Sequence, residues 1–208
     1  MGLKTDTNTS GSQYSWLGSM FYFGYIAAEY PANRLMQRLP LAKYTAANII
    51  IWGAILACMA ATTTWASLMV VRTLLGVFEA SVTPGFVLFT SQWYRKHEQG
   101  SRVGTWFSFN GFAEIVGGLV AYGISKGTAT GQVELAGWRI MFLWTGLTTS
   151  FFGVLLLWFM PDSPLKARFL TPEERILAIE RIRINQQGVG NHHFKLYQFK
   201  EALKDPVV

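Results

Sequence analysis

Charge is what this sequence has least of. Asp, Glu, Lys and Arg make up 14% of its 208 residues, against 50% apolar residues, and the mean hydropathy is +0.24. A soluble domain carries about 25% charged residues. A water-facing surface all round is therefore excluded, and a lipid-embedded helical bundle fits best. Cysteine is almost absent: Cys58 stands alone in a run of apolar and small residues, so it forms no internal disulfide and reads as packing. His192 and His193 are adjacent but have no further ligands at suitable spacing, so no metal is expected. No nucleophile stands beside a base, no glycine loop suits a phosphate and no cofactor fingerprint is present, so neither an enzyme nor a cofactor is expected. A cleavable leader is also missing. The polar start, Met1 to Ser12, has no basic n-region, which leaves the first apolar helix to act as the insertion signal. The formal charge of +6 raises nucleic acid as a partner. The basic residues, however, cluster between apolar segments and after the last one, which points to the lipid bilayer and not to nucleic acid.

What is present is a series of long apolar runs. A membrane helix needs about 20 mostly apolar residues, and five segments reach that length: Tyr14–Met36, Tyr44–Thr64, Leu68–Gln92, Val103–Ser125 and Arg139–Met160. Short connections with polar, Gly or Pro punctuation predict antiparallel neighbours. Trp65, Trp93, Trp138 and Trp158 mark span ends, where an amphipathic ring suits the headgroup layer, whereas Trp106 and Trp144 lie deeper and read as packing. Arg34, Arg38 and Lys43 flank the first connection, and Arg95, Lys96 and Arg102 the third; many more basic residues follow Met160. The positive-inside rule then puts the N-terminus outside and the C-terminus in the cytoplasm. Five spans behind an external, uncleaved N-terminus imply an upstream span outside this chain. Asn8-Thr9-Ser10 is a glycosylation sequon on the predicted outer side, very near the membrane.

Residues 1–160 thus read as a partial transmembrane bundle and 161–208 as a cytoplasmic loop. In that loop Thr171-Pro172-Glu173-Glu174 predicts an N-cap, a proline at the first helical position and a capping-box glutamate. Ile176, Ile179 and Ile182 then mark one face of a short helix laid against the cytoplasmic side of the bundle.

Four charges fall inside predicted spans: Glu29, Arg72, Glu79 and Glu114. Each costs about 2.5–3.5 kcal/mol at a span centre on insertion scales, so each needs a partner or a wet cavity. Arg72, Gly76, Glu79 and Thr83 form one stripe that is open at Gly76, and Pro84-Gly85 predicts a kink one turn beyond it. The first span carries Tyr22, Tyr25 and Glu29 with Asn33 a turn further on; the fourth carries Asn110 and Glu114, continued by Gly117 and Gly118. Three polar stripes are cheapest when they face one another around water, which would form a central translocation path. The alternative is that these charges pair into fixed interhelical contacts, or that Glu29 and Glu114 simply hold their protons. Arginine keeps its charge, and its planar fork matches a carboxylate. Gly104, Gly111 and Gly118 recur every seven residues and predict close helix contact.

Several segments carry a resemblance. Gln13-Tyr14-Ser15-Trp16-Leu17-Gly18-Ser19, running into Phe21-Tyr22-Phe23-Gly24-Tyr25 and Glu29-Tyr30-Pro31, resembles a second transmembrane helix of the major facilitator superfamily. Trp93-Tyr94 with Glu98 and Arg102, Asn110-Gly111, and Gly137-Trp138-Arg139 with Phe142 follow in the order of that family's later helices. Met160-Pro161-Asp162-Ser163-Pro164 and Phe169-Leu170-Thr171-Pro172-Glu173-Glu174-Arg175 resemble the end of helix six and the start of the central loop. Within the superfamily the likeness is to the anion:cation symporter family and its fungal allantoate permease branch. It covers essentially the whole chain.

The resemblance implies an all-α membrane protein: the N-terminal half of a twelve-helix bundle, lacking helix one and the C-terminal half, with five transmembrane helices and a cytoplasmic loop helix. It also implies proton-coupled symport of a small organic anion, such as an allantoate-like ureide or a vitamin carboxylate, across a plasma membrane. An arginine and, seven residues on, a glutamate match Arg72 and Glu79; the first would meet the substrate anion and the second would carry the coupling proton. Arg72, Tyr25 and Asn110 are accordingly the substrate-binding candidates, and Glu79, Glu29 and Glu114 the proton-coupling candidates. Gln37 stands where the superfamily commonly has an aspartate and Pro40 where it has a glycine, which puts the gating salt bridge built there in doubt. The other reading is a transport-incompetent truncated remnant, acting at most as a membrane assembly or sensing module.

Overall fold

A computed structural model of the chain describes residues 2–7, 9–130 and 135–185, together with the helical residues Tyr197 and Glu201. Within them the chain forms eight α-helices: α1 Leu3–Asp6, α2 Gly11–Arg38, α3 Leu41–Cys58, α4 Trp65–Glu79, α5 Val82–Trp93, α6 Lys96–Ala129, α7 Gly137–Phe159 and α8 Pro172–Arg183. Side-chain caps start three of them. Ser10 opens α2, Thr64 opens α4 and Thr171 opens α8, each accepting a hydrogen bond from the backbone three residues on. By length and hydropathy four stretches can cross a membrane: Leu41–Ala61, Trp65–Trp93, Lys96–Thr128 and Gly137–Phe159. α2 has the length, at 28 residues, but it is rich in tyrosine, serine and glycine and is the polar member of the set.

The expected span Leu68–Gln92 is not one helix. α4 stops at Glu79, Ala80 and Ser81 form a turn, and α5 starts at Val82. Pro84 explains the position. It lacks the N–H that would bond to the Ala80 carbonyl, and its ring crowds that carbonyl, so the break falls four residues before the proline and not after it.

The main packing partners are not consecutive in the chain. α2 packs chiefly on α4, and α3 chiefly on α7. Glycine decides this. A Cβ at Gly76 would strike the carbonyl oxygen of Phe21 and lie 2.8 Å from the amide of Tyr25, and one at Gly24 would strike the carbonyl oxygen of Thr73. The second pair closes in the same way: a Cβ at Gly53 would lie 2.7 Å from the Gly146 carbonyl oxygen, and one at Gly153 would lie 3.0 Å from the Ile50 amide nitrogen. Backbones approach this closely only where side chains are missing, the usual basis of helix association in lipid. Ser150 adds a hydrogen bond of 3.1 Å to the Ile50 carbonyl. Gly76 is therefore filled by α2 and is not the opening in the polar stripe that the pattern suggested.

Between the two pairs lies a small core of Leu17, Met59, Leu68 and Leu75, with Trp52 against it. α6 is different. None of its described residues is buried, and Gly104, Gly111 and Gly118 have no described atom within 4 Å of a built Cβ, so the close contact expected of them is not made among the described residues. Trp138 and Trp65 bind protein groups at the bundle end: Trp138 donates to the Asp6 carboxylate at 2.8 Å and Trp65 to the Gln13 carbonyl at 3.2 Å. Arg139 donates to the Ala60 carbonyl at 2.9 Å, in the 3-10 turn Met59–Ala61 that follows α3. In α8 only Ile182 of the three isoleucines is buried, while Ile176 is exposed. Asn8, His192 and His193 lie outside the described residues.

Candidate functional site

Glu79 stands halfway along the stretch Trp65–Trp93 and is the last residue of α4, beside the break. Arg72 lies two turns earlier, about 10 Å along the axis at 1.5 Å per residue, too far for the two to pair. The helix dipole of α4 places its negative end at Glu79, and the carbonyl that Pro84 leaves without a donor adds to it.

Arg72 is half-buried, and its Nε is fully enclosed with no hydrogen-bond partner. The Tyr14 hydroxyl on α2 is within electrostatic reach. Among the described residues the ion pairs are Lys43–Asp162, His97–Glu98, Arg181–Glu98 and Arg183–Glu180. Arg72, Glu79, Glu29 and Glu114 take part in none of them. A buried guanidinium donor without an acceptor is costly unless something anionic or water completes it.

Two neighbouring helices lean on Glu79. The close crossing at Gly24 and Gly76 brings Tyr25 of α2 against α4, where its hydroxyl lies within electrostatic reach of both Glu29 and Glu79. From α3, the indole of Trp52 lies near the Glu79 carboxylate. Trp52 was not among the sequence candidates. Thr45, Asn48 and Trp52 are spaced three and four apart, so they share one face of α3. Thr45 and Asn48 are buried. The Thr45 hydroxyl has no partner and lies 2.7 Å from where a Cβ of Gly85 would sit, just past the break. Spacing alone could have found this third stripe, but the surrounding apolar run masked it.

The remaining candidates are not gathered in. Glu29 and Tyr22 are exposed on α2, and Asn33 turns its amide to the Glu29 backbone carbonyl at 3.0 Å. Asn110 and Glu114 are exposed on α6. So Tyr25 of α2 and Trp52 of α3 stand near Glu79 of α4, Arg72 stands two turns away beside α2, and Glu29, Asn110 and Glu114 lie on open faces. At the other end of α2, Gln37 accepts from Arg34 at 3.0 Å. The acid of that region is Asp162, from beyond α7, which accepts from the Lys43 amide at 3.3 Å.

Charges inside an apolar span beside a helix break recur along the ion and substrate pathways of membrane proteins. A family model of the Major Facilitator Superfamily matches residues 1–208. The chain belongs to this superfamily. An uncharacterized transporter of Schizosaccharomyces pombe is 45% identical over 205 residues, covering 99% of this chain and 40% of the relative. The allantoate permease of Saccharomyces cerevisiae is 44% identical over 208 residues, covering 99% of this chain and 38% of the permease. A thiamine pathway transporter of the same yeast is 42% identical over 205 residues, covering 98% and 38%. The relatives are named as transporters and permeases, not as enzymes. This major facilitator chain spans about two fifths of the length of the relatives it matches, and its long apolar helices make it an integral membrane segment.

Proposed function

We propose that this segment supplies the anion- and proton-handling residues of a proton-coupled symporter for a small organic anion. The observation that carries the reading is the half-buried Arg72, whose Nε donor is enclosed and unmet and which has no carboxylate paired to it among the described residues. A substrate carboxylate is the partner that fits, because the guanidinium fork binds it in two parallel hydrogen bonds. Glu79 would carry the coupling proton at mid-span, with Tyr25 and Trp52 beside it. Glu29, Asn110 and Glu114 would join the path from helices that stand open here. The allantoate permease among the relatives supports a carboxylate-bearing nutrient as cargo. The plasma membrane, an outer N-terminus and a cytoplasmic C-terminus complete the proposal, the last two resting on the basic connections.

The test uses a full-length transporter containing this segment. Arg72→Lys fails almost as badly as Arg72→Ala in substrate uptake, because the ammonium keeps the charge and loses the fork. Glu79→Gln keeps substrate binding and loses the stimulation of uptake by an inward proton gradient. Normal uptake by Arg72→Lys, or full proton stimulation in Glu79→Gln, refutes the respective role.

A further inference from the structure

The segment that follows α7 does more than leave the bundle. Its first residues are fixed to α3, where Asp162 accepts from the Lys43 amide at 3.3 Å and lies 3.9 Å from the Lys43 ammonium. Next, the Phe169 ring stacks on Trp93 at the end of α5, with centroids 6.0 Å apart and planes 20° from parallel. Arg175 donates to the Ala167 carbonyl at 3.0 Å and folds α8 back. α8 then runs past the turn that joins α5 to α6, and Ile182 is buried there.

The grip on that turn is polar and specific. Asn185, 5% exposed, donates its amide to the Tyr94 carbonyl at 3.1 Å and accepts from the Lys96 N–H at 3.1 Å. Tyr94 is the C-cap of α5 and Lys96 the first residue of α6. These are the orphan acceptor and orphan donor that any two consecutive helices leave at their junction. One side chain completes both, with the Gln99 amide sharing the Tyr94 carbonyl at 3.1 Å. Beside it, the Arg181 guanidinium pairs with Glu98, whose other oxygen accepts from the Arg95 N–H at 3.2 Å. Arg95 returns a hydrogen bond of 3.2 Å to the Arg181 carbonyl.

α5 is the short helix that the break at Ala80–Ser81 separates from α4. Its near end meets α4 at that turn, with Thr45 of α3 against Gly85, and its far end is held by the contacts just described. We propose that residues 162–185 form a strap across the bundle end, with Asn185 and the Glu98–Arg181 pair as its clasp. With the clasp closed, α5 is held in line. With it open, α5 swings about the break without moving α4, because α4 is fixed to α2 through Gly24 and Gly76. The strap stands independently of which substrate the site takes.

Amide hydrogen exchange on this chain in lipid nanodiscs tests the strap. Asn185→Ala exposes the Lys96 amide to about tenfold faster exchange, the loss of one buried hydrogen bond. Asn185→Ala and Arg181→Ala both speed exchange in positions 86–93 of α5 by about threefold or more, and leave positions 68–78 of α4 unchanged. Arg181→Lys, which keeps the charge opposite Glu98, restores the parent rates in α5. The proposal is overturned if neither alanine variant changes α5, if α4 and α5 accelerate equally, or if Arg181→Lys behaves as Arg181→Ala.

Discussion

α4 and α6 are written in the same vocabulary and end up in opposite environments. Each carries glycine, Gly76 alone on α4 and Gly104, Gly111 and Gly118 on α6, and a polar stripe with a carboxylate, Glu79 on one and Glu114 on the other. On α4 the glycine is crossed by the backbone of α2, the arginine is half-buried and the carboxylate meets groups from two other helices. On α6 the glycines face open space and no residue is buried. A spacing of seven makes a helix able to pack closely, but it does not supply the partner. A site needs both, and only α4 has its partner within the described residues.

The widest separation between the two helices should come from adding one methyl group to each. Gly76→Ala puts a Cβ into the Phe21 carbonyl, which only a shift of the α2–α4 pair can relieve, so a loss of about 2–4 kcal/mol is expected. Gly111→Ala meets nothing and removes glycine's backbone entropy, so a gain of up to about 1 kcal/mol is expected. Unfolding of this chain in detergent, followed by circular dichroism, measures both. Equal losses would mean that α6 is packed after all.

Function gives the next contrast, in a full-length transporter containing this segment. Arg72→Ala should lower uptake by about 100-fold, as for a buried charge-assisted contact, whereas Asn110→Ala should cost about tenfold or less, as for a neutral one. Uptake at saturating and limiting substrate separates the two, and a larger loss at Asn110 would move the substrate site onto α6. A smaller difference is expected for the carboxylates. Glu79→Gln should remove proton stimulation, while Glu114→Gln should change it by about threefold or less, since Glu79 alone stands at a helix break with its polar neighbours assembled.

The all-helical class and the superfamily were legible in the sequence, because hydrophobic length and the order of the Trp-Tyr, Gly-Trp-Arg and Pro-Asp-Ser-Pro segments need no partner to be read. Arg72 and Glu79 were legible as anomalies, since charges inside apolar runs demand an explanation. Which helix covers Gly76 was not legible: period reveals a face, never its neighbour. Trp52 and Thr45 escaped because α3 is apolar enough to hide a stripe of three. Asn185 escaped because one polar residue past a helix end looks like any solvated turn until the orphan groups of the α5–α6 junction are beside it.

The smallest expected effect concerns the feature that α6 lacks altogether, a break. α6 runs through 34 residues without interruption, whereas the stretch Trp65–Trp93 is divided at Ala80–Ser81. Pro84→Ala returns an N–H donor to the Ala80 carbonyl and removes the ring that crowds it. In a free helix this exchange is worth about 3 kcal/mol. Here the gain is expected to be only about 1 kcal/mol, because the turn already has replacement contacts. The Ser81 hydroxyl donates to the Phe78 carbonyl at 3.2 Å, and the Gly85 amide donates to the Ser81 carbonyl at 3.0 Å. Thr45 also packs on Gly85 and holds α5 at its present angle. Thermal unfolding of the variant measures the gain, and exchange at positions 80–85 reports whether the break has closed. Slower exchange there with a gain near 1 kcal/mol would show that proline maintains the joint at a small cost in stability. Unchanged exchange would assign the break to Thr45 and Gly85, and α5 would then remain a separate helix with or without its proline.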